Sequence, residues 1–192
     1  RQIFEWAADG NTAAEITRKL YAMNIPTPGE YRKSKGKDHY NVSRTHGVWS
    51  SSTVLRMLED QRYIGTYVIG KRKVREIGSR RVQLKDESEW FKIPDHHPAI
   101  VSMELFEKAN ASIRRFSLPN KKRRDYLLRG KVFCGCCDHA MSLRNGAWFY
   151  CRHSEVAKEL PCYGVKVKMS ELEQVVFDTT RAQMGPALGI DS

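Results

Sequence analysis

An α+β chain in two parts is what this sequence predicts: a winged-helix-like helical domain with a basic β-ribbon, and after it a small cysteine-bearing ribbon domain. Three observations predict it. Capped helical runs occupy most of residues 1–66, alternating basic segments follow them, and all five cysteines lie between Cys134 and Cys162. A length of 192 residues accommodates one large or two small domains. With 41% hydrophobic and 29% charged residues the composition is that of a folded soluble protein. No apolar run approaches the roughly 18–20 residues of a membrane span, so no membrane partner is expected. The opening "RQIFEWAADG" has neither an initiator Met nor a signal-like apolar region, and is read as a domain boundary inside a longer protein.

The elements follow in order. Arg1 to Ala8 carries Ile3, Phe4, Trp6 and Ala7 and fits a short helix ending at "DG". Thr12 and Glu15 then form a capping box, Ile16, Leu20 and Met23 recur at helical spacing, and Pro26 and Pro28 stop the run. Tyr31 to Gly47 is polar, basic and weakly periodic, which predicts a loop. "VWSSSTVLRMLEDQRYIG" predicts a helix with a serine N-cap among Ser50 to Ser52. Its apolar residues Val54, Leu55 and Leu58 face a core, and Tyr63, Ile64 and Gly65 close it. "TYVIGKRKVREI" and "SRRVQLK" alternate as two strands around "GS". Pro98 and Ser102 open a further helix with Leu105, Phe106, Ala109 and Ile113 inward, and His96 and His97 before it are read as loop residues. Near the end, Ser170 and Glu173 form a second capping box on an amphipathic run of Leu172, Val175, Val176 and Phe177. The expected division is 1–113, a basic linker over 114–131, and 132–192.

Charge is distributed unevenly along the chain. Lys and Arg against Asp and Glu number 10 to 7 in residues 1–66, 17 to 8 in 67–131, and 6 to 7 in 132–192, within a net charge of +11. The excess is therefore central, in "GKRKVREIGSRR" and "IRRFSLPNKKRRDYLLRGK". Neutralising the phosphates of a nucleic acid needs many cations along one track, so two such clusters flanking a folded segment point to a polyanionic partner.

The cysteines point to a metal. Cys134, Cys137, Cys151 and Cys162 are spaced C-x2-C-x13-C-x10-C, close to the two-hairpin layout of a zinc ribbon. A C-x-x-C turn aims both thiolates at one ion, and Gly135 is expected to let backbone amides turn towards the sulfurs. The reading is one structural Zn2+ per chain with Cys136 as a spare, leaving no open coordination position for catalysis. A redox C-x-x-C pair belongs at a strand-to-helix junction, whereas "RGKVFCGCCDHAMSLRNGAWFYC" reads as short strands around an "RNG" turn. His139 and His153 stand as alternative ligands in place of a cysteine.

Four segments carry a family resemblance. "GVWSSSTVLRMLEDQRYIGTYVIGKRK", "DHHPAIVSMELFEKA", "LLRGKVFCGCCDHAM" and "SELEQVVFD" resemble, in that order, the recombinase domain and zinc-ribbon domain of large serine recombinases, the phage-integrase and transposon enzymes. The resemblance covers nearly the whole chain. It implies sequence-specific binding at attachment sites on double-stranded DNA during site-specific recombination. It also implies a cytoplasmic protein of a bacterium, phage or transposon. Family members carry their serine nucleophile in a separate N-terminal domain, and Ser43 in "NVSRTHG" has the wrong context for it, so no catalytic residue is assigned here. Contacts to other recombinase subunits are expected through segments outside this sequence. The family's coiled-coil arm has no heptad counterpart before Ser192.

The resemblance also implies a set of DNA-contacting residues. The helix of Ser51 to Glu59 corresponds to the major-groove reader, with Ser51, Ser52, Thr53 and Arg56 on its exposed side. Arg32, Lys33, Lys35 and Lys37 in a loop, and Lys71, Arg72, Lys73 and Arg75 on the ribbon, would grip backbone. Lys121, Lys122, Arg123 and Arg124 would lie along the groove between domains, and Arg144 and Arg152 would read bases from the zinc hairpins. Two competing readings exist. One is a transcription regulator with winged-helix and zinc-ribbon domains; the other is a nuclease using Asp95, His96 and His97, which lacks a second carboxylate cluster.

Overall fold

A computed structural model describes residues 1–37, 47–74, 78, 82–115 and 125–188, with the side chains of 115 and 185–188 left aside. Ser43, Arg75 and Lys121 to Arg124 lie outside the described residues. The helices are α1 (Gln2–Ala8), α2 (Ala13–Ala22), α3 (Pro28–Ser34), α4 (Ser51–Leu58), α5 (Met103–Arg115) and α6 (Met169–Leu188). The strands are β1 (Tyr67–Ile69), β2 (Arg72–Val74), β3 (Val82–Leu84), β4 (Phe91–Ile93), β5 (Ser142–Arg144), β6 (Trp148–Tyr150) and β7 (Lys166–Lys168). The fold is α+β. Two compact units divide it, Arg1–Lys19 with Ser50–Pro119, and Leu20–Trp49 with Asn120–Ser192.

The first unit is built on helix packing. α1 packs along α5, and α4 packs on both. Their apolar residues Phe4, Ala7, Val54, Leu58 and Ala109 are buried, with Ile16 and Val101. The Phe4 ring lies 5.2 Å from that of Tyr63 and 5.9 Å from that of Phe106. Asn110 on α5 donates to the carbonyl of Leu58 at 2.8 Å, satisfying one of the acceptors that the end of α4 leaves open. α4 ends at Leu58, and a separate 3-10 turn over Gln61–Ile64 carries the Tyr63, Ile64, Gly65 closure that the sequence pattern assigns to the helix itself.

Gly65 closes that turn with φ 85, and a Cβ there would stand 2.6 Å from the carbonyl oxygen of His97. Only glycine fits. Around it the His96 amide donates to the Gly65 carbonyl at 3.0 Å, a His97 ring nitrogen lies 2.7 Å from the Arg62 carbonyl, and the His96 ring stacks on Tyr67 at 4.9 Å. The two histidines are thus committed to holding a turn, which agrees with their reading as loop residues.

The basic segment forms two sheets instead of one hairpin. Gly70, at φ 74, breaks the expected long strand: β1 pairs antiparallel with β4, and β2 with β3. α3 is a second departure, because Pro28 starts a helix where the sequence pattern suggests an end. Proline has no N–H to donate, and the first helical position requires none. Thr27 is the N-cap; its amide donates to the Glu30 carboxylate at 2.7 Å and its hydroxyl accepts from the Glu30 amide at 3.3 Å, a complete capping box. Arg32 and Lys33 therefore sit on a helix, not in the predicted loop, while Lys35 and Lys37 follow it.

In the second unit the Trp49 indole donates to the Ile25 carbonyl at 2.9 Å, with Leu20, Val48 and Trp49 buried. The ribbon itself is the three-stranded antiparallel sheet β5-β6-β7. Leu143, Phe149 and Val167 alternate inward and pack with Leu128, Met141 and the cysteines. α6 starts at Met169, directly off β7 and one residue ahead of Ser170. Leu172 packs on the ribbon, whereas Val175 and Phe177 are 60% and 61% exposed, so α6 does not bury the whole predicted apolar run.

Candidate metal centre and nucleic-acid surfaces

Two knuckles bring the four cysteines together. In the first, the Cys134 amide donates to the His139 carbonyl at 2.9 Å and the Asp138 amide to the Cys134 carbonyl at 2.7 Å, with a bridge between Phe133 and Ala140 outside them. The sharp bend is taken by Asp138, at φ 57. The amides of Cys136 and Cys137 turn towards the Cys134 sulfur, as expected from sequence, although Gly135 itself is not in a left-handed conformation and a Cβ there would meet nothing within 4 Å. In the second, the Cys151 amide donates to the Val165 carbonyl at 3.2 Å and the Val165 amide to the Cys162 carbonyl at 3.1 Å. This tethers the two distant cysteines across β6 and β7.

The sulfurs of Cys134, Cys137, Cys151 and Cys162 all lie within 4.8 Å of one another, and each residue is at most 2% exposed. Cys134 and Cys162 are 3.8 Å apart at sulfur, Cys137 and Cys151 3.6 Å. Ligands at about 2.3 Å in a tetrahedron stand about 3.8 Å from one another, so the spacing fits a tetrathiolate ion and is far too long for a disulfide. Cys136 is exposed, and its sulfur lies outside this set of four.

The protonation chemistry agrees with a cation at the centre. Burial pushes the Cys151 thiol up to about 12 and raises that of Cys162, with neighbouring sulfurs adding to both. At Cys134 burial also pushes upward, but the amides of Cys136 and Cys137 and the adjacent thiols outweigh it and bring the group to about 7. Four thiolates in one buried pocket need a positive ion to balance them. His139 and His153 stay outside the sulfur set, His139 with a ring nitrogen 3.0 Å from the Cys137 carbonyl and His153 donating its amide to the Cys151 sulfur at 3.4 Å.

The family model described as Recombinase matches residues 1–116, and the one described as Recombinase zinc beta ribbon domain matches residues 127–181. The chain belongs to the recombinase family. Together the two domains form the arrangement of the C-terminal region of serine recombinases and support a role in site-specific recombination. The recombinase zinc ribbon has one structural zinc site, formed by Cys134, Cys137, Cys151 and Cys162. No curated protein and no solved structure matches the chain. Among the described residues no helix is long and apolar enough to cross a membrane.

Within the recombinase domain the predicted reader helix is α4. Ser50 is its N-cap, with its hydroxyl 2.6 Å from that of Ser52. Ser52 and Arg56 are exposed, Ser51 and Thr53 half-buried. Arg56 folds back along the helix, donating to the Ser52 carbonyl at 3.2 Å and the Thr53 hydroxyl at 3.3 Å. Val54 and Leu58 point the other way into the core. On the ribbon, Arg72 and Lys73 are exposed, but Lys71 is half-buried with its ammonium 4.9 Å from the centre of the Trp90 ring.

In the zinc ribbon Arg152 is exposed, and Arg144 is held by Glu155 through two hydrogen bonds of 3.0 Å. Sequence reasoning singles out these arginines but passes over the strand residues around them. Arg144 lies over Tyr150 at 5.0 Å, and Lys166 and Lys168 lie over Trp148 at 5.0 and 5.5 Å. The alternation "W-F-Y" and "K-V-K" is visible in the sequence, and marks two faces without saying which is outward.

Proposed function

We propose that this chain recognises attachment sites on double-stranded DNA, sequence-specifically, in site-specific recombination. The observation that supports it most is α4 in the recombinase domain: it turns Ser52 and Arg56 to solvent from the face opposite buried Val54 and Leu58. A helix end with short hydroxyl side chains and one guanidinium suits the major groove, where base edges differ in their donors and acceptors. Ser51, Ser52, Thr53 and Arg56 are the readers in this proposal. Arg32, Lys33, Lys35 and Lys37, with Lys71, Arg72, Lys73 and Arg75, hold the sugar-phosphate backbone. Lys121 to Arg124 follow the minor groove between a recombinase part at 1–113 and a zinc part at 132–192, where Arg144 and Arg152 read bases. The cell compartment that goes with this role is the cytoplasm.

The test begins with DNA selected by the chain from a random pool. Arg56→Ala combined with Ser52→Ala is then competed against every single-base variant of the selected site. The expected result is relaxed preference at two or three adjacent positions, each specific contact contributing roughly 1–3 kcal/mol, with little loss of non-specific affinity. An unchanged preference profile would make α4 a scaffold.

A further inference from the structure

The strand register of the zinc ribbon sorts its side chains into two layers. Arg144 pairs across to Trp148 and Trp148 to Lys168, while Ser142 pairs to Tyr150 and Tyr150 to Lys166. Because side chains alternate along a strand, these six share one face, and Leu143, Phe149 and Val167 on the other are packed towards the zinc centre. Ser142, Arg144, Lys166 and Lys168 are exposed, with Trp148 and Tyr150 half-buried between them. The outer face is therefore a layer of three cations interleaved with two aromatic rings.

Charge selects the partner for this face. Residues 132–192 contain 6 Lys and Arg against 7 Asp and Glu, yet half of those cations stand on this one sheet and none of the carboxylates belongs to its strands. Lys166 and Lys168 are two residues apart on β7, which spaces them about 6.7 Å along the strand, comparable with neighbouring phosphates on one nucleic-acid strand. The Trp148 ring beneath both ammonium groups keeps them extended over the sheet, so they surrender less side-chain freedom when they meet an anion. Carboxylates that approach do so from outside the sheet: Glu155 on Arg144 and Glu171, 3.6 Å from Lys168. Exposed pairs of that kind exchange readily for a phosphate.

We infer that the outer face of β5-β6-β7 is a phosphate-contacting surface for duplex DNA, in which Lys166 and Lys168 make the contacts and Trp148 positions them. This rests on the DNA-binding role proposed above and adds residues to it that neither the cysteine spacing nor the basic clusters indicate. The experiment measures binding of the whole chain to a random-sequence duplex over a range of salt concentrations, for the parent, for Lys166→Gln with Lys168→Gln, and for a control of equal charge change, Lys158→Gln with Arg181→Gln. Zinc content is determined for each. The expected result is a salt-dependence slope shallower by about 1.8 in the first variant, about 0.9 for each phosphate no longer neutralised, with the control keeping the parent slope and all three retaining zinc. An unchanged slope in the zinc-loaded first variant overturns this inference and leaves the proposed function standing. An equal fall in the control reduces the effect to overall charge and also overturns it. A single-stranded oligonucleotide that outcompetes the duplex for the parent but not for the first variant would reassign the face to unpaired strands. A parent that binds no DNA overturns both readings.

Discussion

The zinc ribbon and the α1-α4-α5 bundle reach a buried interior by opposite means. In the ribbon, four of the seven buried residues of the core are cysteines, with Leu128, Met141 and Phe149 as the remainder. In the bundle the interior is Phe4, Ala7, Val54, Leu58 and Ala109, with no metal ligand among them. The contrast teaches where each part keeps its stability. A small sheet with few apolar side chains gains little from burial alone, so its fold depends on ligation; the bundle is held by contact area, with the Asn110 side chain bonded to the Leu58 carbonyl.

The largest expected effect breaks the ribbon and spares the bundle. Zinc ligation in such sites contributes on the order of 10 kcal/mol, so Cys151→Ser, or removal of the ion by a strong chelator, is expected to unfold β5-β6-β7. Hydrogen exchange should show protection abolished in these strands and kept in α1 and α5. Cys136→Ser should retain one zinc per chain. Fewer than one zinc in the freshly purified parent would remove the basis of the comparison.

The converse substitution is Phe4→Ala. Phe4 is 1% exposed and touches the rings of both Tyr63 and Phe106, so its truncation is expected to cost about 3–5 kcal/mol in the bundle. Zinc content should not change. A fall in zinc occupancy in this variant would show that the two parts do not keep separate sources of stability.

The smallest effect sharpens the comparison through pH. Burial pushes the Asp60 carboxyl up, but the Arg62 side chain and amide more than reverse it, and the group ends below the ordinary aspartate value of 3.8. A folded value below the unfolded one gives stability that is present above the unfolded value and is lost as pH falls through the folded one. Bundle stability should therefore decline as pH drops below 3.8, and Asp60→Asn should flatten that part of the decline. Denaturant midpoints measured across this range, with tryptophan emission as the probe, check it. An equal decline in Asp60→Asn would assign the acid sensitivity to other carboxylates.

The metal centre is legible in the sequence because its chemistry is: four thiols at ribbon spacing have few other uses, and the structure puts their sulfurs within 4.8 Å. Helix starts are legible for a related reason, since the capping box of Thr12 and Glu15 is a bond between near neighbours. The same signal is present at Thr27 and Glu30, where Pro28 masks it by resembling a terminator. Arg56 stands where the helical pattern puts it, on an exposed face opposite Val54 and Leu58. Its hydrogen bonds to Ser52 and Thr53 follow from the helical turn itself.

By itself, the sequence determined the ligand set of the metal, the capped starts of α2 and α4 and the concentration of positive charge, all of which depend on residue type and short spacing. The tertiary structure decided the rest. β1 pairs with β4 across more than twenty residues of intervening chain, a partnership no local pattern specifies. Gly65 is required by a carbonyl of His97 thirty-two positions away. Most of all, the alternation in Trp148, Phe149 and Tyr150 offers an aromatic residue to either side of the sheet. Only the closing of the cysteine knuckles, with Leu128 and Met141 beneath them, makes Phe149 the buried one and leaves Trp148 and Tyr150 among the cations.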